Sequence, residues 1–173
     1  MNERSEPLPG MTVPAITLWQ PWATLVSAGA KPFEFRGWPA PRRLWGKRVA
    51  VMSPSHAGAR PMRRGELQDL LLRLQGDDAP ETGLVAERAI EVLERALSAP
   101  GTLPRASVLC LATLGEPIRD EALAARLGLP SVNDSDRTQH SSWGWPLTGI
   151  ERLEPFVPAR GAQGWWAWRR AMS

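Results

Sequence analysis

The sequence predicts an α+β domain built on a small, strongly bent mixed β-sheet or barrel with short flanking helices. Three observations point to this class. The 173 residues, 43% hydrophobic and 23% charged, have the length and composition of one globular domain. Several short apolar or alternating segments indicate strands. The segments with helical spacing do not alternate regularly with those strands, which argues against a parallel sheet.

Three strands and one short helix are predicted near the start of the chain. The strand segments are 13–18 (VPAITL), 32–36 (PFEFR) and 48–53 (RVAVMS). Pro14 indicates that the first of them lies at a sheet edge or that the proline stands at its start, because proline has no N–H for the ladder. Residues 21–28 predict a helix, since Pro21 fits a first helical turn and Gly29 fits the left-handed position after the last one.

The remaining chain predicts three longer helices and further strands. Apolar stripes at helical spacing indicate helices over 66–75, 84–98 and 119–127. The strand regions are 106–114, 143–158 and 160–170. The first region is apolar throughout, which indicates burial on both faces, and the second is expected to form a strand, a turn and another strand. In the third, Trp166 and Trp168 share one face. Residues 130–142 are polar and predict a mobile loop.

We expect one domain over residues 13–173, preceded by a flexible tail over residues 1–12. Residues 57–104 predict a helical insertion in this domain. Its hairpin, residues 66–98, carries much of the acidic charge and is expected to pack as part of the structure.

Several classes of protein do not fit the composition. The chain has no run of eighteen apolar residues and no apolar core of a secretory signal, so we expect no membrane partner. Cys110 is the single cysteine and lies in an apolar run, which suits a buried residue in a reducing cytoplasm. With two histidines, one cysteine and no phosphate-cradling glycine loop, we expect neither a metal nor a cofactor.

Positive charge is concentrated in one stretch, although the formal net charge of the chain is only +3. Residues 31–64 hold nine basic side chains and one acidic one. Such a local excess attracts polyanions, and its alternative is a solvated basic face. Trp38 and Trp45 are expected to anchor the loop 37–47 inside this stretch, and exposed tryptophans can stack on bases. The candidate phosphate contacts are Arg42, Arg43, Lys47, His56, Arg60, Arg63 and Arg64.

A spacing of Gly-x-Lys-x-x-Glu-x-Arg runs from Gly29 to Arg36. Glu34 and Arg36 share one face of a predicted strand, about 6.5–7 Å apart, and Lys31 follows a helix end. A carboxylate between two cations stays ionised and can orient both. The group suits the edge of a base or a polar small molecule, and its alternative is a surface ion-pair ladder of little energetic value. Neighbouring side chains complete the candidate site: Gln20, Trp22, Trp38 and Ser53.

Three blocks of the chain resemble the ASCH domain family, which has PUA-like folds. They are ITLWQPWATLVSAGAKPFEFRGW, RVAVMS and PARGAQGWWAW. The resemblance implies a PUA-like β-barrel with a cleft lined by Lys31, Glu34 and Arg36. It also implies RNA or a modified base as ligand. Some small relatives are amidohydrolases acting on an acetylated cytidine, with threonine at the position of Glu34, and a nuclease activity has also been suggested for the family.

Two functional hypotheses follow, and a third is weaker. The first is a module that binds RNA or another single-stranded nucleic acid, with Trp22 or Trp38 stacking on a base. The second is a small hydrolase acting on a modified nucleoside or on RNA, with Lys31 as base or nucleophile and Glu34 as proton shuttle. The third is a protein-interaction module that uses the acidic hairpin. RNA, DNA and a nucleoside-like ligand remain open, as do catalysis and the oligomeric state.

Overall fold

The computed structural model describes residues 10–55, 62–135 and 141–170. Within these residues it contains seven β-strands, four α-helices and three short 3-10 helices. The strands are β1 (Thr12–Thr17), β2 (Phe33–Arg36), β3 (Arg48–Ser53), β4 (Ser107–Leu114), β5 (Ile118–Arg119), β6 (Trp143–Pro158) and β7 (Trp165–Arg169). The α-helices are α1 (Trp22–Ser27), α2 (Arg64–Gln75), α3 (Ala86–Ser98) and α4 (Asp120–Leu127). The 3-10 helices are Arg42–Leu44, Ala79–Thr82 and Pro100–Thr102.

All seven described strands belong to one mixed sheet, which confirms the predicted α+β class. The strand order is β2-β6-β4-β3-β1-β7, and β5 pairs with β6 on the side opposite to β2. β1 and β3 are parallel, and the other described pairs are antiparallel. Trp145 of β6 stacks on Trp165 of β7 with ring centroids 5.8 Å apart, although three strands separate them in the order. The sheet is therefore strongly curled, but the described strands leave it open rather than closed into a barrel.

β6 corrects one prediction, because residues 143–158 form a single strand and not two strands joined by a turn. Its pairing with β4 shifts register twice, between Val108 and Cys110 and between Leu111 and Thr113. Gly149 lies in the second irregularity with a φ of 56°. Such bulges bend a strand and increase its twist without ending it, so the strand turns the corner of the curled sheet in one piece.

Pro14 corrects a second prediction. It is the third residue of β1, and β1 lies between β3 and β7 rather than at an edge of the sheet. Pro14 pairs with Ala167 on β7, and the parallel pairing with β3 begins one residue later, at Ala15. Pro14 therefore precedes the first residue pair of the parallel ladder, and the sheet has one hydrogen-bond donor fewer at this position.

The predicted helices are confirmed, and α2 and α3 form a hairpin that shares a core with α1. Leu70 of α2 and Leu93 of α3 pack in one buried cluster with Leu25 of α1. The backbone of Val85, before α3, donates to the carbonyl of Ala30 at 2.9 Å. The hairpin thus supports the turn that leads from α1 into β2. Among the described residues, no helix has the length and apolar character needed to cross a membrane.

Candidate functional site

The turn after α1 directs Lys31 into the protein. Gly29 ends the helix with a φ of 68°, a left-handed conformation that glycine adopts without steric cost. The backbone N–H groups of Ala30 and Lys31 both donate to the carbonyl of Leu25, at 2.8 and 3.2 Å. As a result Lys31 is only 2% exposed, although lysine is almost never fully buried without a partner.

The Lys31 ammonium lies between two carboxylates and two aromatic rings. It donates to Oδ2 of Asp134, and its Nζ is 3.4 Å from Oε2 of Glu34. The same Nζ is 5.0 Å from the ring centroid of Trp22 and 5.3 Å from that of Phe35. These contacts offset the loss of hydration that the Lys31 ammonium undergoes on burial.

Glu34 connects Lys31 to Arg36. Its Oε1 accepts a hydrogen bond from Arg36 Nε at 2.8 Å, and its other oxygen faces Lys31. Glu34 is 8% exposed, whereas the Arg36 side chain is 30% exposed. Asp134, Lys31, Glu34 and Arg36 therefore form one series of ion pairs, called here the charge chain, which is buried at Asp134 and open at Arg36. The alternative of a surface ion-pair ladder is wrong for its three buried members.

Asp134 is the member of the charge chain that the sequence did not reveal. Residues 130–142 were expected to be a mobile polar loop. Residues 136–140 lie outside the described residues, but Val132 and Asp134 are buried. Asn133 holds this described part in place, because its N–H donates to the Glu81 carbonyl at 2.8 Å and its carbonyl accepts from Arg73 at 3.3 Å. Burial raises the pKa of Asp134 above the usual 3.8, and repulsion by the Glu34 carboxylate acts in the same direction. Attraction by the Lys31 ammonium lowers this pKa but does not cancel the rise.

Gln20 and Ser53 lie near one another and use their polar atoms within the fold. Gln20 Nε2 and Ser53 Oγ both donate to the carbonyl of Pro104, at 2.6 and 2.7 Å. Gln20 Oε1 accepts from the backbone and the hydroxyl of Thr24, at 3.1 and 2.8 Å. The two side chains thus join the start of α1 to the end of β3. Trp22, in α1, packs between the core under the sheet and the core of the hairpin.

The loop between β2 and β3 exposes an aromatic ring and three cations. Trp38 is 59% exposed, so it was wrong to expect its ring to anchor the loop. Its carbonyl is the anchor, because it accepts from Trp145 Nε1 at 2.9 Å. Trp45 does anchor the loop through Nε1, which donates to the carbonyl of Ala40 at 3.0 Å. The three exposed cations are Arg42, Arg43 and Lys47.

The other predicted phosphate contacts stand apart from this loop. Arg63 and Arg64 are exposed at the start of α2, where the Arg63 N–H donates to Glu66 at 2.7 Å and Arg64 Nη1 donates to the Leu97 carbonyl at 3.0 Å. No described hydrogen bond or ion pair joins either arginine to the charge chain. His56 and Arg60 lie outside the described residues.

Two further side chains border the site and were not singled out from the sequence. Trp143 of β6 pairs with Arg36 of β2 on one side and with Arg119 of β5 on the other. The Arg119 guanidinium carbon is 4.5 Å from the centroid of the Trp143 ring. Only the strand register brings residues 36, 119 and 143 together, so no local spacing could have indicated them.

The open end of the charge chain offers positive charge and hydrogen-bond donors at Arg36. In the part of the chain that the structure describes, no three histidine, cysteine, aspartate or glutamate side chains are grouped to hold a metal ion. The chain matches no known family model and no curated protein sequence. The resemblance to the ASCH family thus depends on its three sequence blocks alone.

Proposed function

We propose that this chain is an ASCH-like domain of PUA-like fold that binds single-stranded nucleic acid, and RNA in particular. The observation that carries the proposal is the exposed loop after β2. It exposes Trp38, Arg42, Arg43 and Lys47. The three cations have no ion pair with any described residue, and Arg42 lies over the ring of Trp45, 5.6 Å from its centroid. An exposed aromatic ring among unpaired cations suits a strand whose bases stack and whose phosphates are negatively charged.

The charge chain supports this function by orienting Arg36. Glu34 holds the Nε of Arg36, so the two Nη groups remain available for a phosphate or for the edge of a base. Lys31 and Asp134 are buried behind Glu34 and hold it in place. In this proposal the buried end of the charge chain positions Glu34 and Arg36, and Arg36 at the open end binds the nucleic acid.

A PUA-like fold is compatible with the strongly curled mixed sheet and with the three sequence blocks. The motif Gly-x-Lys-x-x-Glu-x-Arg then borders the cleft that the resemblance implies. Gln20 and Ser53 contribute to the shape of this cleft through the Pro104 carbonyl, rather than through polar atoms of their own.

Binding of labelled RNA and DNA oligonucleotides at two salt concentrations tests the proposal. We expect the affinity to fall steeply with salt, because each neutralised phosphate of a single strand contributes about −0.7 to the slope of log K against log salt. Substitution of Arg42 and Arg43 together by alanine should reduce the slope by about 1.4. Substitution of the exposed Arg95 and Arg126 together by alanine is the matched control. Absent or salt-insensitive binding would rule out the proposal.

A hydrolase remains the second candidate, and one observation favours it. Asp134 is a buried carboxyl group of raised pKa in contact with an amine, an arrangement that acid–base catalysts use. Lys31 would have to become accessible to a substrate. Turnover of acetylated cytidine or cleavage of labelled RNA, lost in Lys31→Ala and in Asp134→Asn, would support this candidate. Turnover that persists in both variants would come from a contaminant.

A further inference from the structure

Two arginines of the sheet rest on two tryptophans of β6. The Arg119 guanidinium carbon lies 4.5 Å from the ring centroid of Trp143, and that of Arg36 lies 5.8 Å from the centroid of Trp145. Trp143 and Trp145 are two residues apart on one strand, so their side chains leave the same face about 6.5–7 Å apart. The register places Arg36 and Arg119 on strands at either side of β6, directly across from Trp143.

Each guanidinium is held in place and keeps free donors. Glu34 holds Arg36 through Nε alone, which leaves both Nη groups. Arg119 is exposed, and beyond its contact with the Trp143 ring it has no hydrogen bond or ion pair to a described residue. A planar guanidinium fixed on an aromatic ring loses little conformational entropy when it binds an anion.

The described carboxylates nearest to Arg119 in sequence form no ion pair with it. Asp120 and Glu121 follow it in the chain, but Asp120 Oδ1 accepts from the Glu121 N–H at 2.9 Å and forms no ion pair with Arg119. Glu116 is exposed before β5 and forms no ion pair with Arg119. Glu34 is the one described carboxylate in contact with Arg36, and it also faces Lys31.

We propose that Arg36 and Arg119 form an arginine pair that holds two successive phosphates of one nucleic-acid strand. This inference rests on the proposed function and deepens it, because it assigns the face of β6 to the phosphate backbone. Guanidinium groups match phosphate oxygens with two parallel hydrogen bonds. Trp143 and Trp145 leave β6 about 6.5–7 Å apart, which is comparable with the separation of neighbouring phosphates along one strand. The strand then runs across β2, β6 and β5 and continues past the loop that carries Trp38.

The test compares three variants of the full chain in oligonucleotide binding over a range of salt. Arg119→Ala should weaken binding about tenfold and reduce the salt slope by about 0.7, equally for RNAs of different sequence. Arg119→Lys keeps the charge but loses the planar stack, so its affinity should fall between that of Arg119→Ala and that of the unsubstituted chain. Arg126→Ala removes an exposed arginine at the far end of α4 and should have no effect.

The outcomes separate this inference from the proposed function. If the unsubstituted chain binds RNA and Arg119→Ala binds equally well with the same slope, the arginine pair is refuted while the proposed function stands. If the unsubstituted chain does not bind, both are refuted. A loss that depends on RNA sequence would indicate a base contact and overturn the assignment to phosphate. Polyglutamate of matched charge serves as a competitor. If it displaces the labelled RNA as well as unlabelled RNA does, the partner is an acidic protein segment and the assignment to phosphate is overturned. Thermal melting of each variant checks that it is folded.

Discussion

At the scale of single residues, the buried Lys31 is the centre of the site, because its ammonium compensates two buried carboxylates. Asp134 contacts it directly, and Glu34 lies 3.4 Å away. A lysine in this position contributes to folding, because it pairs with carboxylates inside the protein. Removal of one partner of a buried ion pair is costly, since the remaining charge has neither water nor a counter-charge.

We therefore expect Lys31→Met to lower the free energy of unfolding by about 3–5 kcal/mol. Urea denaturation followed by fluorescence measures the loss. Lys47→Met is the control, because Lys47 is exposed and should change stability little. The double variant with Asp134→Asn should recover part of the loss, since it removes one of the orphaned charges. Equal stability of Lys31→Met and the unsubstituted chain would contradict the buried ion pair.

The raised pKa of Asp134 gives a pH dependence with a definite sign. Because this pKa is higher in the folded protein than the unfolded value near 3.8, the folded state binds more protons than the unfolded state above about pH 4. Stability from this group therefore falls as the pH rises through that window. We expect the difference in unfolding free energy between the unsubstituted chain and Asp134→Asn to decrease from about pH 4 upward. If the difference increased with pH instead, attraction by Lys31 would lower the pKa of Asp134 more than burial raises it.

At the scale of elements, β6 is where local sequence and observed structure differ most. A strand, a turn and a second strand were predicted where one long strand bends at bulges opposite β4. Bulges depend on which residues pair across the sheet, and local sequence does not specify that. β2 shows the opposite case, because alternation alone put Glu34 and Arg36 on one face and Phe35 on the other, as observed.

Gly149 is the residue that the bend in β6 requires. Its φ of 56° is in the left-handed region, which costs a residue with a Cβ roughly 1–2 kcal/mol. Gly149→Ala should therefore lower the free energy of unfolding by about that amount. Gly101→Ala is the matched control, because Gly101 has no positive φ and has open space for a Cβ. Equal effects of the two substitutions would show that the bend does not depend on glycine.

At the scale of the whole molecule, the hairpin of α2 and α3 is joined to the sheet through the packing of α1. Leu25 of α1 lies in the core of the hairpin, and Trp22 packs against both cores. Arg73 of α2 also binds the carbonyl of Asn133, next to Asp134. Although the hairpin was predicted as an insertion, it thus supports both ends of the buried part of the charge chain.

We expect thermal unfolding to be a single transition because of this shared core. All nine tryptophans lie outside residues 64–98, so their fluorescence reports on the sheet and its surroundings. Far-ultraviolet circular dichroism at the helix band reports largely on α2 and α3. The two signals should give the same midpoint. Leu93→Ala, in the hairpin core, should lower both midpoints together. An earlier loss of the helical signal would show that the hairpin unfolds independently.

The fold was more predictable from sequence than the site. Strand and helix periods are local, and they also identified Cys110 correctly as a buried residue, whose burial raises its pKa to about 12. The motif residues Lys31, Glu34 and Arg36 were found because they are neighbours in sequence. Asp134 is 103 positions from Lys31 and stands in a polar segment, so only the folded chain brings the two together.

The exposed ring of Trp38 gives the protein an optical reporter of its own. Most of the nine indoles are at least partly buried, while Trp38 is the most exposed tryptophan that the structure describes, ahead of Trp19. Its emission should lie at the red edge of the spectrum and should be quenched first by iodide, which the neighbouring arginines attract. A ligand that covers this loop should shield that emission from iodide, whereas Trp38→Phe should reduce the quenchable fraction to the part that Trp19 contributes.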